Sequence, residues 1–171
     1  MNRIVLRATR SFSTFTHVDT KGQINMVNVS HKTPNIRTAS ASAKVLVGEQ
    51  IFKAIVANEC KKGDVICVSK IAGIQAAKST HSLIPLCHSI ALDSVRIDVN
   101  MNESESSVEF VSSVVVTDKT GCEMEALTAV GVASLTLYDM CKAMSKNMVI
   151  TNIQLQSKTG GKSGDFIKTS L

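Results

Sequence analysis

The sequence predicts an α+β sandwich in which helices cover one face of a largely antiparallel sheet. Three observations lead to it. Residues 36–47 alternate between small or apolar and polar side chains, the period of a strand. Two β-rich runs, 90–100 and 108–117, flank the polar NESESS stretch and read as a hairpin. Segments with helical spacing lie between the first strand and the hairpin, and again after it. The length of 171 residues suits one domain with a real core, and with no Trp and 4% aromatic residues that core is aliphatic.

In chain order, residues 24–29 (INMVNV) read as a short strand ahead of a turn at Ser30 to Pro34. In the next strand Ala39, Ala41, Ala43, Val45 and Val47 share a side with Arg37, which either snorkels at the strand end or meets an anion. Gly48 to Cys60 carries Ile51, Phe52, Ile55 and Val56 at helical spacing and closes on Lys61-Lys62-Gly63. On spacing alone, Lys62 complements the dipole of that helix end. Asp64 to Lys78 reads as a second helix, with Asp64 as N-cap, Gly73 as a point of close approach, and Lys70 and Lys78 near one face. Pro85 forbids a helix interior at Leu83 to His88, leaving a rigid extended turn that delivers His88. Ile90 to Asn100 alternates with a bulge near Asp93 and Ser94, and Met148 to Ser157 is the last strand.

Thr120 to Lys146 is the spine. On a helix, Leu127, Val130, Leu137 and Cys141 form one apolar stripe, and Thr128, Val132, Leu135, Thr136 and Ala143 form the opposite one. Both sides are therefore suited to burial, one against the sheet and the other against a second subunit. The uncharged run is too short for a bilayer, which needs about 20 residues. Thr120 and Glu123 have the spacing of a capping box, so Glu123 takes a structural role and Glu125 ranks above it for function. Asp139 falls on the second face, with Lys142 within reach.

The tail around GGKSGD is not a Walker A loop, since Gln156 stands where that motif needs glycine. It reads as a flexible loop whose backbone N–H groups and two lysines close over an anion. The formal charge is +5, but without residues 1–16 and their Arg3, Arg7 and Arg10 the balance is 16 basic against 14 acidic residues, net +2. That acid-free, Ser/Thr-rich start reads as a mitochondrial transit segment over 1–20, ahead of a single domain over 21–171. The expected location is the mitochondrial matrix, otherwise the cytoplasm. Five cysteines without a CxxC pair read as reduced thiols of an intracellular compartment, and adjacent Cys87 and His88 are weak evidence for zinc. The reading carries no metal, no cofactor, no nucleic acid and no membrane. Arg37, Lys62, Lys78, Lys142, Lys158 and Lys162, beside His88, Glu125 and Asp139, suit a polyphosphate ligand. Glu125 and Asp139 lie ~21 Å apart along a straight helix, so a site using both is shared between subunits.

KKGDV, IAGIQAAK, LIPLCH, TGCEMEALTAVGVASLTLYDMCKA and SKTGGKSGDF, in this order over residues 22–166, resemble the cyclic pyranopterin monophosphate synthases of molybdenum cofactor biosynthesis. The resemblance implies a ferredoxin-like sandwich, and a lyase that converts 3',8-cyclo-7,8-dihydroguanosine 5'-triphosphate, a cyclic guanosine triphosphate derivative, to cyclic pyranopterin monophosphate and pyrophosphate. It implies a hexamer built as a trimer of dimers with sites at the dimer interface, coupled functionally to the radical enzyme that precedes it. Carried over by motif, Asp139, Lys62, Lys142 and His88 are catalytic. Leu86, Cys87, His88, Met124 and Glu125 line the substrate site, while Arg37, Lys78 and Lys158 hold phosphates. Asn28 and Ser40 depart from the family pattern. The alternative is a non-catalytic ferredoxin-like nucleotide- or RNA-binding module, which would want aromatic platforms where Phe110 stands nearly alone.

Overall fold

The computed structural model describes residues 23–169, so the segment read as a transit sequence over 1–20 lies outside the described residues. The elements are β1 (Asn35–Leu46), α1 (Glu49–Val56), α2 (Val65–Lys78), α3 (Thr80–Leu83), β2 (Leu92–Asn102), β3 (Ser107–Asp118), α4 (Glu123–Cys141), β4 (Val149–Thr159) and β5 (Phe166–Ile167). They build one five-stranded sheet in the order β2-β3-β1-β4-β5, antiparallel at every pair. Helices pack on one face. The succession β-α-β-β-α-β is the ferredoxin-like arrangement, with β5 added at an edge.

The alternation in β1 explains the centre. Ala39, Ala41, Ala43 and Val45 are buried on the helix side, and their small volume lets α4 lie close on the middle strand. Ser112 of β3 is fully buried among them, and its hydroxyl donates to the Ala126 carbonyl of α4 at 2.8 Å. Gly73 brings α2 against α4: a Cβ there would stand 2.7 Å from the Ala129 carbonyl oxygen and overlap Ile97 of β2. On α4, Val130, Leu137 and Cys141 are buried as expected, together with Ala126, Ala129 and Ala133, whereas Leu127 is only partly covered. The opposite stripe is half-buried at Thr128, Val132 and Thr136 and open at Leu135 and Ala143.

Several local expectations change. Residues 24–29 make a single bridge at Ile24 rather than a strand, and β2 carries its bulge between Leu92 and Ser94 as expected. α1 stops at Val56 because Asn58 turns left-handed (φ 54°), so Lys61 and Lys62 leave that helix and sit in the following turn. α4 has no capping box. Cys122 occupies the N-cap without a side-chain cap bond, because its thiol is buried and aimed at the Val114 carbonyl, 3.5 Å away, which starts the helix at Glu123. The GGKSGD stretch is a closed hairpin, not a free loop. Gly160 turns at φ 81°, where a Cβ would collide with the Ile36 carbonyl, and its N–H donates to the Asp165 carboxylate at 3.2 Å.

Gly73→Ala is expected to lower stability by about 1–3 kcal/mol, since the blocking atom is helix backbone that cannot yield. Gly131→Ala, where nothing stands within 4 Å of the added Cβ, is expected to raise it by up to about 1 kcal/mol. Urea denaturation of the two variants beside the parent checks both signs.

Candidate functional site

The N-terminal end of α4 carries two adjoining cavities. The first, about 330 Å³, is lined by Leu86, Cys87 and His88 from the proline-stiffened turn, by Met124 and Glu125 from α4, and by Val27 from the segment before β1. The second, about 260 Å³, takes Arg37 and Thr38 from β1 and Lys158, Lys162 and Ser163 from the β4–β5 hairpin. Lys32, Gly121 and Glu123 line both, so the two form one groove with an apolar, acid-floored end and a cationic end.

Glu125 is 4% exposed, and burial, aided by nearby Glu123, pushes its carboxyl above the usual carboxylate range. The Cys87 thiol is raised as well, by burial first and by Glu125 second. His88 Nε2 lies 2.8 Å from the Val27 carbonyl oxygen. A carbonyl only accepts, so Nε2 carries a proton and donates it to this bond. At the cationic end Lys158 Nζ sits 3.0 Å from Ser163 Oγ and 3.3 Å from Glu123 Oε1. Arg37 is buried, and its Nε and Nη2 donate to the Asp118 and Lys119 carbonyls at 3.0 and 3.1 Å. The strand-end arginine therefore pins the loop that leads into α4, and Nη1 remains on the side of Gly161.

A different cluster occupies the C-terminal end of α4. Asp139 Oδ1 is 2.6 Å from Lys142 Nζ, and Asp139 Oδ2 is 2.9 Å from Lys62 Nζ, which also donates to the Asp139 carbonyl at 2.9 Å. Lys62 thus complements a helix C-terminus, but that of α4 and not of α1. Hydrogen bonds from Lys142 and then Lys62 hold the Asp139 carboxyl down to about 2. The same bond raises Lys142, so the lowered lysine pKa that proton transfer would want is not found at Lys142, an exposed side chain with a carboxylate partner.

One chain therefore assembles Leu86, Cys87, His88, Met124, Glu125, Arg37 and Lys158 around one groove, and Lys62, Asp139 and Lys142 at the far end of the helix. Lys78 joins neither, lining a recess with Ile74, Ile90 and Asp93. Sequence reasoning passed over Glu123 and Lys32. Glu123 was assigned to a cap that does not form, and the adjacent acids of EME were the available signal. Lys32 sits in a Ser-His-Lys-Thr-Pro turn with no local pattern to mark it.

A family model described as the MoaC family matches residues 26–161. The chain is 53% identical over 154 residues to cyclic pyranopterin monophosphate synthase, mitochondrial, of Arabidopsis thaliana, covering 90% of this chain and 57% of that protein. It is 52% identical over 153 residues to cyclic pyranopterin monophosphate synthase of Heliobacterium modesticaldum, covering 90% and 96%. Against molybdenum cofactor biosynthesis protein 1 of Drosophila melanogaster it is 50% identical over 161 residues, covering 94% and 28%. The chain thus spans just over half of the plant relative, nearly all of the bacterial one and about a quarter of the insect one.

The raised Glu125 pKa fixes a sign. The native state keeps this proton to higher pH than the unfolded chain does, so Glu125 costs stability as pH rises from about 4.5 through its native pKa. Glu125→Gln is expected to flatten that decline and to be relatively more stable at pH 8 than at pH 4, as read by thermal denaturation across this range.

Proposed function

The chain belongs to the MoaC family, and from that premise we propose that it is a lyase forming cyclic pyranopterin monophosphate and pyrophosphate from 3',8-cyclo-7,8-dihydroguanosine 5'-triphosphate. The observation that carries the reading is the continuous groove, whose two ends match the two halves of such a substrate. The purine-derived rings enter between Leu86, Cys87, His88, Met124 and Glu125. The triphosphate meets Lys158, Lys162 and the free side of Arg37. Cations there stabilise the pyrophosphate as a ribose-derived hydroxyl attacks the α-phosphorus and the bond to the β-phosphate oxygen breaks.

Proton transfers during ring opening and closure need acid–base groups beside the rings. Glu125, whose carboxyl burial shifts upward, and His88, which lines the same cavity, suit that work. Asp139 is ionised throughout the working range and fixes the ammonium groups of Lys62 and Lys142, so this cluster supplies oriented positive charge. Because α4 separates it from the groove, the Lys62, Asp139 and Lys142 end serves the groove of a second copy. The assembly is a homo-oligomer, a trimer of dimers with sites at the dimer interface and Lys78 contributed from a neighbouring chain, supplied with substrate by the preceding radical enzyme. The mitochondrial plant relative supports a matrix location, and among the described residues no helix is long and apolar enough to cross a membrane. The RNA-binding alternative finds no footing, since Phe110 lies fully buried in the core.

Pyrophosphate release from the cyclic triphosphate is the assay. Asp139→Asn and Lys62→Ala are each expected to lower turnover by about a hundredfold or more with the fold retained. Near-parent turnover in both would remove this cluster from the reaction.

A further inference from the structure

Of the two lysines at the C-terminal end of α4, Lys142 is the less firmly held. Lys62 Nζ is bonded both to the Asp139 carbonyl and to its Oδ2, each at 2.9 Å, whereas Lys142 Nζ is tied to Oδ1, at 2.6 Å. Both side chains of that second pair are about half exposed. An exposed ion pair is weak beside the rotamer freedom of a lysine, so the pair by itself does not orient the ammonium group. Its direction has to be set from the backbone.

Lys142 is the C-cap of α4, and residues 142–147 cross toward β4 as an exposed or half-exposed turn between buried Cys141 and buried Met148. Tyr138 grips this turn at two places. Its carbonyl accepts from the Lys142 N–H at 2.8 Å, and its hydroxyl donates to the Lys146 carbonyl at 3.0 Å. Between them the Met144 N–H closes onto the Cys141 carbonyl at 2.9 Å. The Tyr138 ring is packed against the core, so the hydroxyl stands at the end of a rigid side chain. The proposed chemistry leaves this residue without a task. We propose that Tyr138 is a positioning residue, whose hydroxyl locks the 142–146 turn and so aims the Lys142 ammonium group at Asp139 and at the groove of the adjoining copy. The inference rests on the lyase reading, in which this cluster supplies positive charge, and adds the residue that gives that charge its direction. Tyr138 acts through Lys142, without touching substrate or moving a proton.

Tyr138→Phe keeps the packed ring and removes only the hydroxyl, and the full chain is compared with this variant in two measurements. In pyrophosphate release from the cyclic triphosphate, kcat is expected to fall about tenfold with KM within about twofold, because a misdirected charge weakens transition-state stabilisation and leaves most substrate contacts in place. In limited acylation with a succinimidyl ester, read by peptide mass spectrometry, Lys142 is expected to react at least about threefold faster in the variant. Lys53, paired to Glu49 on α1, is the internal reference. The Asp139 carboxylate raises the proton affinity of Lys142, and a side chain released from it loses that protection. A merely structural role would move the urea midpoint and leave kcat and Lys142 acylation at parent values. Parent-like kcat, a loss carried by KM, or unchanged acylation of Lys142 each overturns the assignment. Should the parent release no pyrophosphate, the lyase reading falls and the Lys142 acylation ratio alone decides the inference.

Discussion

The structure depends on one close approach, the seating of α4 on a strand of alanines. Ala39, Ala41 and Ala43 of β1 and Ala126, Ala129 and Ala133 of α4 are all buried, and Gly73 lets α2 close from the side. Because small side chains set this spacing, little in the centre can shift without a void or a clash. A 19-residue helix held in this way is a rod of roughly 28 Å. It carries charged side chains at both ends and none in the middle.

The two ends are electrostatic opposites. At the N-terminal end Glu125 is sunk beneath the groove floor, where desolvation outweighs the favourable helix dipole and keeps its proton affinity high. At the C-terminal end Asp139 is exposed, yet two lysines gather around it and its affinity falls. A carboxylate at a helix C-terminus is unfavourable alone, and Lys62 and Lys142 offset that cost by meeting both its side chain and its carbonyl. Two carboxyl groups on one helix are thus shifted in opposite directions by their positions on it. In the proposed account one end exchanges protons and the other lends charge.

Much of this was legible in the residues. The alternation of β1 gave its buried side, the bulge at Asp93 and Ser94 was marked by a break in period, and LIPLCH announced a stiff turn through its proline. The Asp139 and Lys142 pair followed from i,i+3 spacing. What could not be read were interactions set by tertiary burial. Cys122 displaced the cap expected from Thr120 and Glu123, and Asn58 stopped α1 before its lysines. The hairpin at Gly160 depends on the distant Ile36 carbonyl, and Lys32 acquires meaning only from cavities built by residues far along the chain. The family resemblance supplied the grouping of residues that spacing alone left scattered, and the helix length then divided that grouping in two.

The central claim is that each complete site joins the groove of one chain to the Asp139 end of another. It is tested most directly by mixing two inactive variants, Asp139→Asn and Glu125→Ala, after dissociation and reassembly. The account predicts that pyrophosphate release returns in the mixture to about a quarter of the parent rate, because random pairing of the two chains leaves that share of sites intact in both halves. No recovery despite mixed assembly, or full activity in a chain held monomeric, would contradict it.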